Sequence, residues 1–283
     1  MISQLEKEIT LRYLKTRKND GFLNIISIFS FIGISLGVAV LIIVMSVMNG
    51  FRTELVDKIV GFNPHVVIKP YEKKIDEKLF LNKDLKKLSK IFIYGNSGEG
   101  VIINKDYTKG LILRGYLPND FKKLSVVKNE NFFGNTKLNP DHISIGKELS
   151  LNNDIKIGDK ILVMSPTGVE TLLGNLPKQK TYIVDSFFDS GIADFDQNVA
   201  FINLNDLESF FDLKSSERNL EIYLKNPKNI EYAKENFKKI FDRYYIYTWA
   251  DLNKSLFLAL KVERNVMFII LSLIIIVAAF NII

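Results

Sequence analysis

The chain has 283 residues, 47% of them hydrophobic, a net charge of +6 and no cysteine. The missing thiol excludes disulfides and thiolate chemistry, and lysines scattered among acids form no stripe for nucleic acid. The hydrophobic content is uneven: it gathers in residues 22–51 and 265–283 and leaves a stretch of ordinary soluble composition between them.

In residues 1–21, Ile2, Leu5, Ile9 and Tyr13 recur at helical spacing before the break Asn19-Asp20-Gly21. The spacing fits an amphipathic N-terminal helix in the inner headgroup layer; a frayed polar tail is the other reading. No charge occurs between Asp20 and Arg52. A helix over residues 22–51, densest in apolar residues from Phe22 to Met48, is long enough to cross a hydrocarbon layer about 30 Å thick. It lacks the polar face of a soluble core helix, and it is longer than the roughly 7–15 apolar residues of a cleaved leader. Within it, Gly33 and Gly37, with Ser30 one turn earlier, make a small-residue face suited to packing a second helix. Lys7, Arg12, Lys15, Arg17 and Lys18 precede the span. Basic residues favour the cytoplasmic side, which puts the N-terminus inside and residues 52–264 outside.

The outer region reads as alternating strands and helices. "NPHVVIKP" (63–70) is a strand bracketed by turn residues, and 77–90 is a lysine-rich helix. "GNSGEG" (95–100) reads as a flexible turn. Residues 109–118 form a strand, and 142–166 read as strand, short helix, turn and strand. "TYIVDSFF" and "NVAFINL" are strands, followed by a helix over 205–212 with Asn205 or Asp206 as its cap. A strand over 220–225, a helix opened by Pro227 with Ile230, Ala233, Phe237, Ile240 and Phe241 on one face, and a strand over 244–249 make a β-α-β unit. With no Gly or Pro to interrupt it, 250–283 reads as one long helix whose end, 265–283, is a second span. The sequence stops inside that apolar run, so further chain is expected.

Chemical motifs are absent. His65 and His142 have no partners at metal-ligand spacing and read as turn or strand-edge residues. No serine sits in a nucleophile elbow and no Walker motif is present. Any energy source lies in a partner subunit. Residues 163–184, "VMSPTGVETLLGNLPKQKTYIV", carry Leu172, Leu173 and Leu176 between two strand-like ends. An apolar-tipped hairpin is a poor soluble surface unless covered, so the segment is a docking arm or a loop folded back on its own domain.

Residues 10–55, together with "GFNPHVVI", "SPTGVETLLGNLPKQKTYIV" and the stretch from Thr248 to Ile283, resemble the LolC/LolE family, the membrane subunits of the lipoprotein-releasing ABC transporter of Gram-negative bacteria. The likeness runs along the whole chain in order and is loosest across 72–140. It implies an α+β membrane protein of the bacterial inner membrane, with transmembrane helices, four in the full family pattern, and a MacB-like periplasmic domain. One part of that domain is formed by 52–110 and 214–250, and the other is a strand-rich insertion over 111–213. The resemblance makes 163–184 the hook that recruits a LolA-type carrier, with Leu172, Leu173, Gly174, Leu176, Pro177 and Lys178 at the contact. It places lipoprotein acyl chains against Val44, Val47, Met48 and Phe51 of the first span and Phe257, Leu260 and Met267 of the second.

The implied partners are a cytoplasmic ABC ATPase, which holds ATP and Mg²⁺, a second copy or paralogous permease, the carrier, lipoprotein substrates and membrane lipid. No cofactor is expected in this chain. A MacB-type efflux permease, an FtsX-like mechanotransmission subunit and a two-span ligand sensor are the rival readings; the first two would lack the hairpin.

Overall fold

The uncharged run after Asp20 folds as expected, but the helix does not end with it. The computed structural model describes residues 4–6, 8–9, 21–71, 74–104, 107–171 and 174–282, without the side chains of 21–27, 30, 167, 169–171, 174–175, 275 and 278–282. Residues 4–6 and 8–9 are helical; the rest of the N-terminal segment lies outside the described residues. Helix α1 spans Gly21–Phe62, well past the expected boundary at 51. Residues 52–60 hold no Gly or Pro, so the helix continues until Pro64, which disfavours helical geometry at Asn63. The chain divides into two compact units, Met1–Glu54 with Ser255–Ile283, and Leu55–Lys254.

Within Leu55–Lys254 the chain forms β1 (Val66–Lys69), α2 (Lys83–Leu88), β2 (Ser89–Asn104), β3 (Tyr107–Tyr116), α3 (Pro118–Phe121), β4 (Phe133–Gly134), β5 (His142–Gly146) and α4 (Lys147–Asn152). It continues with β6 (Lys160–Thr171), β7 (Gly174–Phe188), α5 (Ala193–Asn198), β8 (Val199–Asn203), α6 (Leu204–Phe211), β9 (Asn219–Leu224), α7 (Ile230–Ile240), β10 (Tyr245–Thr248) and α8 (Trp249–Leu252). The strands form one sheet in the order β10-β1-β9-β2-β3-β8-β5-β7-β4, with β6 pairing β2 and β7. Strands from 52–110 and 214–250 occupy the β10 end, and those from the 111–213 insertion occupy the other. The β2–β3 hairpin, paired from Gly95↔Tyr116 to Asn104↔Tyr107, joins them, so the boundary at 110 falls inside β3. The β-α-β unit is split: β9 and β10 both pair antiparallel with β1, which lies between them.

Four local expectations are corrected. The 95–100 "turn" lies within β2. Its glycines serve close approach, since a Cβ on Gly95 would stand 2.8 Å from the Tyr116 ring and one on Gly98 2.6 Å from Phe211. The 77–90 helix is a 3-10 turn, Glu77–Leu81, followed by α2; between them the Asn82 side chain accepts from the Asp84 N–H at 2.8 Å, closing one element and capping the next. Helix α6 is capped by Asn203, whose Oδ1 accepts from the Asn205 N–H at 3.0 Å, leaving Asp206 free for other work. The unbroken 250–283 helix is in fact α8 and α9 (Lys254–Ile282). Asn253 leaves helical geometry, with its N–H and side-chain amide both donating to the Trp249 carbonyl.

Two clusters form the core. One lies in the insertion around Leu113, Ile143, Ile145, Val163, Tyr182 and Ile202. The other gathers Phe62, Ile93, Tyr116, Phe121, Phe188 and Phe201. Phe62, the last residue of α1, stacks on Phe188 at 5.8 Å and Phe195 at 4.8 Å.

His65 is buried at this junction, not exposed at a turn or edge; His142, half-buried with Nδ1 2.7 Å from the Pro140 carbonyl, does sit at a strand start. The Leu224 N–H donates to His65 Nδ1 at 2.7 Å, so the ring proton is on Nε2, 3.1 Å from the Val60 carbonyl that accepts it. The carbonyls that end α1 are thereby satisfied: Ile59 by the Asn63 N–H, Val60 by His65 and Gly61 by the Ser125 hydroxyl. Burial lowers the imidazole pKa below the usual 6.5; the Val60 bond opposes this and the charge of Lys90 adds to it. Protonation would set a second N–H against that of Leu224. The folded state therefore binds the proton less readily than the unfolded chain. Stability is complete above pH 6.5 and declines as pH falls towards the lowered folded value, by at most about 1.4 kcal/mol per pH unit. We expect the melting temperature in detergent to fall between pH 7.5 and 5.5, and the fall to be shallower for His65→Gln, whose amide can make both bonds without titrating.

Candidate functional site

In the unit formed by Met1–Glu54 and Ser255–Ile283, α1 is strongly apolar, and almost none of its apolar stretch is buried. A bare surface of this kind needs lipid or protein to cover it. Among the described residues α1 alone is long and apolar enough to cross a membrane. Helix α9 also bares Val266, Phe268, Ile269 and Leu273, and its apolar end includes side chains outside the described set.

Four residues of α1 and four of α9 line a narrow cleft of about 30 Å³: Met45, Met48, Asn49 and Arg52 face Leu260, Glu263, Arg264 and Met267. Each set follows the i, i+3, i+4, i+7 spacing of one helix face. The structure thus brings together Met48, Leu260 and Met267 of the expected acyl-lining residues. Phe257 is half-buried one turn before Leu260. Val44, Val47 and Phe51 form a separate exposed stripe, turned roughly 100° around α1 from the cleft. Sequence reasoning missed Met45, Asn49, Arg52, Glu263 and Arg264. The helical spacing that unites them with Met48 and Leu260 was available, but nothing in it says which face meets which. Nothing lies within 4 Å of a Cβ built on Gly33 or Gly37, so that small-residue face is open in this chain.

The second feature is the β6–β7 hairpin. Its strands pair from Lys160↔Ile183 to Thr171↔Gly174, with an irregularity between Met164 and Gly168. β2 reaches β6 only as far as Met164. Beyond that point the described strands form a two-stranded ribbon. Leu172 and Leu173 lie outside the described residues, and Gly174 opens β7. Leu176 is 59% exposed and Pro177 is exposed, both on the outgoing strand. Gly168 lets the strands cross, since a Cβ there would stand 2.5 Å from the Leu176 carbonyl oxygen.

Ion pairs brace the base of the arm. Lys178 pairs with Asp212, and Lys180 contacts Asp141 at 2.8 Å and Asp206 at 3.1 Å. Partial burial disfavours the Lys180 charge, but the hydrogen bonds to the two carboxylates outweigh it and raise its pKa; the same bond from Lys180 lowers that of Asp141. The freedom of Asp206 from capping α6 is what makes this brace available. Among the described residues no cluster of His, Asp and Glu could hold a metal ion.

The third feature is a buried charge pair in the Leu55–Lys254 unit. Arg114 of β3 lies 3.4 Å from Glu221 of β9, which also accepts a hydrogen bond from the Tyr116 hydroxyl at 2.8 Å. Both residues line a cleft of about 370 Å³ with Asn63, Ser97, Phe195 and Tyr247.

Residues 27–240 match the family model of the MacB-like periplasmic core domain. The lipoprotein-releasing system transmembrane protein LolC of Neisseria meningitidis serogroup B is 31% identical over 288 residues, covering 99% of this chain and 69% of that protein. LolC of Xylella fastidiosa (strain Temecula1) is 28% identical, covering all of this chain and 70% of its own length. LolE of Haemophilus influenzae is 24% identical over 97% of this chain and 68% of that protein.

The geometry of the arm yields a test. Gly168→Val should open the ribbon to proteolysis between residues 165 and 178. The melting temperature of the rest of the domain should move little, because the distal ribbon pairs with no third strand.

Proposed function

The chain belongs to the LolC/LolE family and carries the MacB-like periplasmic core domain, and on that premise we propose that it is the permease subunit of an ABC transporter that lifts lipoproteins out of the inner membrane and hands them to a periplasmic carrier. The observation that carries the proposal is the match to LolC along the whole chain, arm included. The chain's own part is transport; ATP and Mg²⁺ belong to a separate cytoplasmic ATPase. The chain crosses the membrane more than once, with its N-terminus in the cytoplasm and the ten-stranded sheet in the periplasm. A second copy or a paralogous permease completes the assembly.

The α1–α9 cleft is narrow, at about 30 Å³. An acyl chain therefore needs those helices to part, or a cavity finished by the second permease. Met45, Met48 and Met267 suit such a surface, because unbranched thioethers adapt to irregular apolar shapes. The exposed stripe of Val44, Val47 and Phe51 is the surface offered to the partner's helices or to the acyl chains themselves. Each CH₂ moved from lipid to water costs about 0.8 kcal/mol, so a covered route from membrane to carrier is required. The arm supplies the docking point for that carrier. Leu176 and Pro177, with Gly174 and the Leu172 and Leu173 of the sequence, are the contact. Lys178, engaged with Asp212, braces the arm.

The hairpin counts against the efflux and FtsX-like readings, for which no such arm is expected. In the assembled transporter, Leu176→Asp combined with Pro177→Asp should reduce carrier capture at least tenfold, with ATP turnover unchanged. Carrier capture equal to wild type would remove the docking role from the arm.

A further inference from the structure

We infer that Arg114 is a positioning residue for transport: its guanidinium ties the end of α1 to both halves of the sheet, so that the periplasmic domain follows the helix when the transporter moves. The inference rests on the permease reading given above.

One side chain reaches the end of α1 and strands from both halves of the sheet. Arg114 projects from β3, in the insertion half. Its Nη2 faces Glu221 of β9, in the other half, at 3.4 Å, and its Nη1 lies 3.5 Å from the Asn63 Oδ1 just past α1. The guanidinium also lies 5.5 Å from the centre of the Phe62 ring, 5.5 Å from that of Tyr116 and 5.8 Å from that of Phe201. Phe62 ends α1, and Phe201 belongs to β8. The polar contacts are long, so the attachment comes chiefly from charge and from the aromatic faces, which a planar cation stacks on as an ammonium cannot.

Stability alone does not account for the pair. Arg114 is 8% exposed and Glu221 7%. Burying two charges costs several kcal/mol each in desolvation, and replacing such a pair with apolar groups of similar volume is often neutral or stabilising. A wholly apolar contact between Phe62 and the sheet would hold the domain together equally well, but it would slide. A cation held between one carboxylate and three rings fixes which way the helix end faces. The pair also borders the 370 Å³ cleft, so it has rings on one side and open space on the other.

The test uses the full transporter with its ATPase, reconstituted with a lipoprotein and its carrier, and measures lipoprotein released per ATP hydrolysed. The variant Arg114→Met with Glu221→Gln keeps the volume and leaves Tyr116 an amide oxygen to donate to. We expect a melting temperature within a few degrees of wild type, ATP turnover within twofold, and release per ATP down at least tenfold. Arg114→Lys, which keeps charge without the planar face, should recover part of the loss. Phe62→Leu, which keeps apolar volume and removes the ring under the cation, should lower release per ATP in the same direction. Wild-type release per ATP in the double variant would overturn the inference, as would loss of folding in both the double variant and Phe62→Leu, which would make these residues core alone. If the wild-type assembly releases no lipoprotein, the permease reading fails before any variant is compared.

Discussion

Between Phe62 and Val66 the chain changes from helix to strand, and the backbone that this change leaves unpaired is buried. Buried carbonyls and amides without partners are costly, so the junction has to supply them. It does so with one imidazole, one hydroxyl and two backbone amides: His65 serves Val60 and Leu224, Ser125 serves Gly61, the Asn63 N–H serves Ile59, and the His65 N–H serves Ile222. Phe62 then sinks into an aromatic cluster contributed by β7, β8 and α5. Phe62, at the end of α1, thus becomes part of the core of the Leu55–Lys254 unit.

The same economy appears at the arm. A two-stranded ribbon is marginal in water on its own. This one is continuous with strands β6 and β7 inside the sheet, and it is pinned at its base by Lys178 and Lys180 to carboxylates on the body. Partial burial of Lys180 makes its pairs worth more than exposed ones. The apolar residues are left for the far end, where Leu176 and Pro177 are uncovered.

The two long helices pose the opposite problem. Their apolar surfaces are mostly uncovered, and the cleft between Met48, Leu260 and Met267 is narrow. The charged residues at that cleft, Arg52, Glu263 and Arg264, share these helix faces with Met45 and Met48 of α1 and Met267 of α9. Apolar and ionic groups sharing one helix face suit a cleft that lies partly in lipid and partly in an interfacial layer.

Much of this was legible in the amino-acid order. The apolar run of 22–51 dictated a span, because hydrocarbon forbids charge. The alternation of strands and helices from 200 to 249 came through, because period-2 and period-3.6 patterns survive any tertiary arrangement. The arm showed as an apolar segment between two strand-like ends. What the sequence could not decide was wherever one local signal had to yield to a distant neighbour. Gly95 and Gly98 read as a turn until Tyr116 and Phe211 are seen lying across them. Asn205 and Asp206 were equal candidates for a cap, but Asn203 caps α6, and Asp206 serves Lys180 and the Asp141 amide. His65 looked like an edge residue because its partners, Val60 and Leu224, are far apart in the chain, and no pattern in the sequence links them. The pairing of Arg114 with Glu221 spans the same kind of distance. Local periodicity determined the elements and the membrane segment; the long-range register of β1, β2, β3 and β9 alone decided which buried polar groups meet, because hydrogen bonds and ion pairs depend on position in space and not on separation along the chain.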